Sequence, residues 1–434
     1  MKKILSLLIS AMLTLAVCAC SSQLAPDAES TPYDYDNSAS AVVFTQSDEI
    51  SMETEFPVYD KSIDKINILI TNNGSDELSY GEKYTLYMQQ GDEWIDIYPG
   101  SDDSVAWIEI SRLLPAGGTN LEVLRVNQLR EGVYRYVKQV GSISCYAEFE
   151  IGDSPVTAGS PSGYAPLEEL GRDYSAEDAE KNGDVVLGIG EIKNSDRLTH
   201  FLSMASLGAQ TKVRLSSFTV EGDPIIYDIE FSGLYYRVTA DSTRDGFGVQ
   251  AVLSESFSYI ITNGSALYLS NCADYDLVRE MLYGSERNTM LLTASVDSSW
   301  VDVIEKMTQK RSEESAALMR VWNDSGSMCV SINSSGECTV SSGGIETSVY
   351  LSSGVSGDYR PVGAAWLDGD SFIIAAQTGS DNALPYIFFT CRSENGTFAP
   401  VESVSGSGYT ILGGALSVDT SLPDTESEID NGGN

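Results

Sequence analysis

The sequence is poor in the side chains that metal centres and nucleophilic enzymes most often use. His200 is the single histidine among 434 residues, and none of the seven cysteines belongs to a CxxC motif. Structural zinc sites need several of these side chains together, and catalytic Ser-His-Asp or Cys-His sets need a histidine, for which His200 is the single candidate. Their scarcity disfavours all three kinds of site. We therefore expect His200 to lie at the surface or to be hydrogen-bonded within the fold.

Basic residues are also few. The chain carries 26 Lys and Arg against 63 Asp and Glu, a formal net charge of −37 at pH 7. So negative a field repels phosphate groups, which disfavours nucleic acid and anionic lipid head groups as direct partners. The excess carboxylates serve either solubility alone or the binding of divalent cations. Composition leaves both readings open.

The N-terminal apolar run, Ile4–Val17, is too short to span a bilayer comfortably. It follows Lys2 and Lys3, and a basic start before a short apolar run predicts a secretory signal, here over 1–19. The stretch VCAC at 17–20 resembles a bacterial lipobox. The resemblance implies acylation of Cys20, for example by palmitate, and an anchor on the extracytoplasmic face of the bacterial cell membrane. The alternative is an ordinary cleaved signal with incidental cysteines.

Five cysteines remain beyond the signal and Cys20, and an odd number cannot pair fully within one chain. They are Cys145, Cys272, Cys329, Cys338 and Cys391. Cys329 and Cys338 flank a predicted hairpin turn, NSSG at 333–336, which favours a disulfide between them. Buried free thiols are the alternative.

Changes in composition divide the rest of the chain into blocks. Residues 20–40 are rich in Ser, Asp and Pro and predict a flexible spacer, and the acidic tail 420–434 predicts disorder. A Gly-, Ser- and Pro-rich linker at 152–172 forms another break. These segments, with a further boundary before residue 274, delimit three predicted domains at 41–151, 173–273 and 274–419.

The first block predicts β-structure throughout. The stretch KINILITNNG alternates apolar and polar residues before an Asn-Gly turn. Leu129, Gly132 and Tyr134 are spaced as in a tyrosine corner, where a Tyr hydroxyl bonds to upstream backbone. The region Phe56–Ile151 resembles a bacterial immunoglobulin-like domain common in secreted Gram-positive proteins. The resemblance implies a β-sandwich used as a spacer or interaction platform, here without the inter-sheet cysteine pair.

The second block predicts a helix on an antiparallel sheet, an α+β domain. Ser175 and Asp178 predict one capped helix. The stretch NSDRLTHFLSMASLG at 194–208 predicts an amphipathic second helix, which Ser195 or Asp196 caps and which ends at Gly208. The motifs NGD at 182–184, EGDP at 221–224 and RD at 244–245 resemble a domain of unknown function found in Gram-positive lipoproteins. This resemblance implies no reaction.

The third block predicts a β-rich domain with a helix at its entrance. Trp300, Ile304 and Met307 follow helical spacing after Ser298, and short strand-like segments come next. The predicted fold class is therefore multidomain and mainly β: an immunoglobulin-like sandwich, then an α+β domain, then a β-rich domain.

The EGDP motif raises the question of a site, because Glu221 and Asp223 bracket Gly222. A hairpin turn explains this pattern, since Gly adopts positive φ and Asp bonds its own backbone. A cation site, with calcium as the candidate, would need the loops to bring in Asp241 and Asp245 as well. Arg244 beside Asp245 reads as a binding contact or an ion pair within the domain. A catalytic acid pair needs facing carboxylates, which one tight loop does not supply.

These observations predict a non-catalytic protein that binds or scaffolds at the bacterial envelope, attached to the membrane through Cys20. Its expected partner is an envelope protein or glycan. One alternative is a carboxylate-dependent enzyme, with or without calcium, that acts on cell-wall or host glycans through the C-terminal block. Another is an envelope sensor.

Overall fold

The computed structural model of the chain describes residues 33–37, 44, 47–99, 106–188, 192–275, 289–293, 296–351, 360–378, 384, 386–394, 397–412 and 415–419. The predicted signal segment 1–19, the predicted lipidation site Cys20 and the tail 420–434 lie outside these residues. Across the described ranges, no helix is both long and apolar enough to cross a membrane.

The first domain is a sandwich of two sheets. Its strands are β1 (Ile50–Thr54), β2 (Val58–Tyr59), β3 (Lys65–Asn72), β4 (Leu78–Gln90), β5 (Glu93–Tyr98), β6 (Arg112–Leu114), β7 (Thr119–Arg125), β8 (Gly132–Val140) and β9 (Ile143–Ile151). One sheet has the order β1-β3-β7 and the other β2-β9-β8-β4-β5, with β6 paired to β4. Ile66, Ile68 and Ile70 are fully buried between the sheets, as their alternation predicts. Tyr134 Oη donates to the Arg130 carbonyl at 2.5 Å, which confirms the tyrosine corner.

The predicted spacer is not free of the sandwich along its whole length. Tyr33 and Tyr35 are buried in the sandwich core. The Tyr33 hydroxyl accepts a hydrogen bond from the Asn127 amide, and the Tyr35 hydroxyl accepts one from the Arg130 amide. Two aromatic side chains supply apolar area that the polar composition of residues 20–40 conceals. The predicted spacer at 20–40 therefore includes two residues, Tyr33 and Tyr35, that pack into the sandwich.

The second domain is built on a six-stranded sheet with the order β11-β10-β12-β13-β14-β15. Its elements are α1 (Ala176–Lys181), β10 (Val185–Leu187), β11 (Ile192–Lys193), α2 (Ser195–Ser206), β12 (Thr211–Phe218), β13 (Pro224–Phe231), β14 (Tyr236–Asp241) and β15 (Val252–Phe257). β10 and β12 pair in parallel, so the predicted antiparallel sheet is mixed. Helix α2 buries Leu198, Phe201 and Leu202 against it, as the amphipathic pattern predicts.

The predicted entrance helix of the third domain packs on the second domain. Strands β16 (Tyr259–Thr262), β17 (Leu267–Ser270) and β18 (Thr289–Thr293) form a small sheet, and α3 (Ser298–Ser315) follows. Trp300, Ile304 and Met307 of α3 share one core with Phe201 of α2. The boundary expected before residue 274 therefore cuts through a continuous core, because burial of the α3 apolar stripe depends on a helix about a hundred residues upstream.

The linker at 152–172 is also packed. A 3-10 turn spans Leu167–Glu169, Val156 joins the sandwich core, and Tyr164 is 6% exposed. The sandwich and second domain touch directly as well: Leu69 packs on Met204, and His200 Nε2 lies 3.3 Å from Glu55 Oε1. The expectation of a hydrogen-bonded histidine is thereby confirmed.

The remaining strands form meanders in chain order. They are β19 (Met319–Trp322), β20 (Met328–Ile332), β21 (Cys338–Ser342) and β22 (Ile345–Val349), then β23 (Arg360–Trp366), β24 (Ser371–Gln377), β25 (Tyr386–Glu394) and β26 (Thr397–Gly406), with the hairpin β27 (Gly408–Leu412) and β28 (Ala415–Asp419). The two four-stranded sheets share a core that includes Val330, Ile374 and Phe389. The multidomain, mainly β fold class is confirmed.

The disulfide predicted between Cys329 and Cys338 is wrong. The register of β20 and β21 places Cys329 opposite Ser341 and Cys338 opposite Ile332. The two cysteines are thus three positions out of register, about 10 Å along the strands, beyond the Cα separation that a disulfide spans. Both are buried free thiols, the alternative considered from the sequence.

Candidate functional site at the paired hairpin ends

The EGDP motif forms the turn between β12 and β13. The Thr219 amide donates to the Asp223 carbonyl at 2.9 Å, and the Gly222 amide donates to the Thr219 carbonyl at 3.0 Å. Gly222 has φ of +94°, a conformation that side-chain-bearing residues rarely adopt. Pro224 then opens β13 opposite Phe218. The turn interpretation of this motif agrees with the geometry.

The RD motif lies in the second hairpin, between β14 and β15. Asp241, the last residue of β14, accepts hydrogen bonds on Oδ1 from the Thr243 amide and hydroxyl. Its Oδ2 receives Arg244 Nη1 at 2.6 Å, and the side chains of this pair are 5% and 7% exposed. Burial alone would raise the pKa of the Asp241 carboxyl, but the bonds from Thr243 and Arg244 outweigh it and lower the pKa. The ion pair of Arg244 within the domain is thus with Asp241, and not with the adjacent Asp245 that the RD motif suggested.

Arg244 also ties this hairpin to the packed linker. Its Nε donates to the Gly171 carbonyl, and its Nη2 donates to the carbonyls of Leu167 and Leu170 at 2.8 and 2.9 Å. One guanidinium therefore holds a loop, a carboxylate and a 3-10 turn together. Because the Arg244 side chain is 7% exposed and its guanidinium makes four charge-assisted hydrogen bonds, we expect the base of the hairpin to be rigid.

The two hairpins are joined to each other at their tips. Asp223 Oδ2 accepts the Gly246 amide at 2.8 Å. Asp245 Oδ1 accepts the amides of Phe247 and Gly248, both at 2.9 Å, and so caps its own turn. Glu221 is exposed and makes no ion pair or hydrogen bond with the described part of the chain. The two loops lie close together, but their carboxylates accept hydrogen bonds from different donors. Asp223 and Asp245 bind backbone amides, and Asp241 binds Arg244.

A metal centre does not follow from this arrangement. Over the residues the structure describes, no group of three or more His, Cys, Asp or Glu is placed to hold a metal ion. A calcium ion at the hairpins would have to replace donors that Asp223, Asp241 and Asp245 already have. Calcium binding there stays a prediction.

The loops of the joined hairpins present three exposed apolar side chains, which the sequence analysis missed. Val220 is 101% exposed, and Phe247 and Val249 are each 82% exposed. We call these three residues the hairpin platform. Turns are normally polar, so the apolar residues in TVEGDP and DGFG were a signal available in the sequence. Asp223, which bridges the hairpins, and the exposed Glu221 give the platform an acidic border, whereas the cation Arg244 is buried beneath it.

Two family models match parts of the chain. Residues 46–150 match the family described as Bacterial Ig-like domain, and residues 182–265 match the family described as Domain of unknown function (DUF4362). The order of these domains is the one the sequence motifs imply. The second match includes both hairpins of the platform. None of the curated proteins matches the chain.

Among solved structures, the matches are weak over the whole chain. The PapD-like domain 7 of human CEP192 is 14% identical, with a TM-score of 0.15, and the match covers 27% of this chain and 98% of that one. The CsuC–CsuE chaperone–tip adhesion subunit complex of Acinetobacter baumannii is 12% identical, with a TM-score of 0.16 and coverage of 51% and 92%. Spo0M, a sporulation control protein of Bacillus subtilis, is 9% identical, with a TM-score of 0.17 and coverage of 61% and 96%. Similarity at this level carries no information on function.

Proposed function

We propose that this chain is a lipid-anchored, extracytoplasmic binding protein without catalytic activity, and that the hairpin platform docks a partner protein. The observation that carries the proposal is the display of Val220, Phe247 and Val249 on two hairpins joined by the Asp223–Gly246 hydrogen bond. The immunoglobulin-like domain supports the same reading, because such modules commonly serve as spacers and interaction platforms.

The rigidity of the platform favours binding over incidental exposure. Full burial of one Val or Phe side chain stabilises a complex by roughly 1.5–3 kcal/mol. A flexible loop loses part of this gain when it becomes ordered on binding. Here the ordering cost is small, because Asp223, Arg244 and Asp245 already hold both loops in place.

Charge selects the kind of partner. A lipid bilayer with anionic head groups would be repelled by Glu221 and by the net charge of −37. A protein surface with an apolar pocket and a basic rim would match both the apolar side chains and their acidic border. We therefore infer that the partner is a protein of this chemistry within the envelope.

The membrane anchor is tested through Cys20. Replacement of Cys20 by Ser removes the thiol that an acyl chain would modify, and it leaves the rest of the chain unchanged. We expect the variant to move from the membrane fraction to the soluble fraction and to lose labelling by a palmitate analogue. Cys145→Ser, at a buried thiol of the sandwich, is the control and should keep both properties. Unchanged membrane association of Cys20→Ser would contradict the anchor.

The docking surface is tested by site-specific photo-crosslinking in cells. A photoreactive phenylalanine at position 247 should give one discrete crosslinked protein band, and the same group at Ile345, an exposed apolar position in β22, should not. Val220→Ser should reduce the yield at 247 through lost contact area, and Glu221→Lys should reduce it through charge. Equal crosslinking from 247 and 345 would contradict docking at the platform. Crosslinks only to lipid, or only between copies of this chain, would contradict the proposed partner.

A further inference from the structure

A cleft of about 560 Å³ lies where the sandwich, the linker and the second domain meet. Its lining includes Phe56 of the sandwich and Pro155 and Tyr164 of the linker. The second domain contributes Gly183, Arg197 and Arg214. The cleft is separate from the hairpin platform, so ligand binding there would not depend on the proposed function.

The charge of this cleft is opposite to that of the protein. Among the residues that the structure describes, its lining contains three cationic side chains, Lys181, Arg197 and Arg214, and no carboxylate. In the whole sequence, acidic residues outnumber basic ones by 63 to 26. A concave surface lined by one sign of charge concentrates ligands of the other sign, so the cleft favours an anion.

The three cations are not equally available to a ligand. Arg214 makes a bidentate pair with the buried Asp228 at 2.6 and 2.9 Å. Lys181 pairs with Glu177 one helical turn away, at 2.7 Å. Arg197 is half-buried and makes no ion pair with any described residue; its guanidinium lies 5.7 Å from the centre of the Tyr164 ring. The guanidinium of Arg197 is therefore available to donate hydrogen bonds to a ligand.

The NGD motif at 182–184, which the hairpin platform does not use, positions Arg197. A Cβ on Gly183 would lie 2.8 Å from Arg197 Nη2 and would displace the guanidinium, and φ of +79° is a conformation that side-chain-bearing residues rarely adopt. The Gly183 carbonyl accepts the Tyr164 hydroxyl at 3.2 Å, which fixes the ring. Beneath them, Asp184 Oδ2 accepts hydrogen bonds from Tyr174 and Ser216.

We propose that this cleft binds a small organic anion, whose carboxylate or phosphate group pairs with Arg197 and whose apolar body packs on Tyr164 and Phe56. A planar guanidinium with two adjacent donors matches the oxyanion geometry of both groups. The aromatic rings and Pro155 supply the apolar contact that most ligand pockets combine with a few charged groups. The volume accommodates a ligand of this kind.

The test is isothermal titration calorimetry of the full chain at low ionic strength. Phenyl phosphate and benzoate are titrated in turn, so that binding of a phosphate group is distinguished from binding of a carboxylate. Benzyl alcohol is the uncharged control. We expect saturable binding of at least one anion and none of the alcohol. Arg197→Gln should weaken binding roughly tenfold or more, the effect of one lost charge-assisted pair. Arg125→Gln, at an exposed arginine of β7 outside the cleft lining, removes the same charge and should leave binding unchanged.

Arg197→Lys covers the case in which Arg197→Gln does not fold. It keeps the charge but loses the planar fork, so we expect weaker binding than in the wild type and a native circular dichroism spectrum. Equal affinity of the wild type, Arg197→Lys and Arg197→Gln would overturn the proposal. So would the absence of saturable binding of both anions up to about 10 mM, where a single ion pair is still detectable.

Discussion

At the residue scale, carboxylates of the same type behave differently according to what surrounds them. Asp241 is buried, but donors from Thr243 and Arg244 favour its charged form and lower its pKa. Asp184 is buried with two hydroxyl donors, and burial raises its pKa despite them. Its Oδ1 has no hydrogen-bond partner among the described residues. One carboxylate is therefore stabilised as the anion, and the other is destabilised.

We expect these two carboxylates to contribute to stability with opposite dependence on pH. A carboxyl whose pKa is lowered by folding stabilises the folded state at pH values above its unfolded pKa, which is about 4 for Asp. This contribution is lost as the pH falls through the folded pKa. The free energy of unfolding of the wild type relative to Asp241→Asn should therefore decrease as the pH is lowered from about 5 to about 3. A raised pKa has the opposite sign, so the wild type relative to Asp184→Asn should become less stable as pH rises through and above about 4.

Urea unfolding of the full chain across this pH range, followed by tryptophan fluorescence, measures both differences. Each Asn variant serves as the control for the other, because the general effects of acid on the chain are common to both. Slopes of the same sign would contradict the assignment of donors to Asp241 and of burial to Asp184.

At the scale of single elements, the local sequence predicted the conformation of helix ends and turns better than it predicted their tertiary contacts. The capping box of α1 is present: the Ser175 side chain accepts from the Asp178 amide, and Asp178 accepts from the Ser175 amide. Gly208 ends α2 with φ of +80°, as predicted. The start of α2 differs, because Asn194, in the left-handed conformation, precedes the helix in place of a Ser195 or Asp196 cap. The EGDP turn was predicted from four residues, whereas the hydrogen bond from the Gly246 amide of the neighbouring hairpin to Asp223 was not.

The two carboxylates of the EGDP turn should differ in their effect on stability. Asp223→Ala removes the bond to the Gly246 amide and should lower the free energy of unfolding by about 1–2 kcal/mol. Glu221→Ala removes an exposed side chain without a described partner and should change it by less than about 0.5 kcal/mol. Urea unfolding with and without millimolar calcium measures both effects. Calcium that stabilises the wild type but neither variant would show that the carboxylates form a cation site.

At the scale of the whole molecule, the predicted domains are joined by contacts at their connections. The two tyrosines of the spacer pack into the sandwich, and the linker is held by Arg214 through Ala165 and by Arg244 through three carbonyls. Helix α3 joins the core of the second domain. The folded part of the chain therefore begins nearer to the predicted anchor at Cys20 than the composition of residues 20–40 indicates.

Tyr35 should stabilise the sandwich although it lies outside the residues that match the immunoglobulin-like family. Its ring is 8% exposed and lies 4.1 Å from the Arg130 guanidinium. Tyr35→Ala should lower the free energy of unfolding by about 3–5 kcal/mol, as for other large aromatic truncations in a core. Tyr350→Ala, at an 81% exposed tyrosine, is the matched control and should have almost no effect. Urea unfolding of the two variants tests this, and equal stability would mean that the segment at 33–37 does not hold the sandwich.

The sequence by itself determined the features that depend on a few neighbouring residues. These are the alternating strands of the sandwich, the apolar stripe of α2, the helix cap at Ser175 and the turn at Gly222. Each follows from backbone propensity or side-chain periodicity, which depend on residues close together in the sequence. Only the tertiary structure decided which distant groups meet. Tyr33 bonds to a residue 94 positions away and Asp223 to one 23 positions away. The strand register separates Cys329 from Cys338, and a hydrogen bond joins two loops that expose three apolar residues. Such contacts depend on the packing of whole sheets, and no local pattern specifies them.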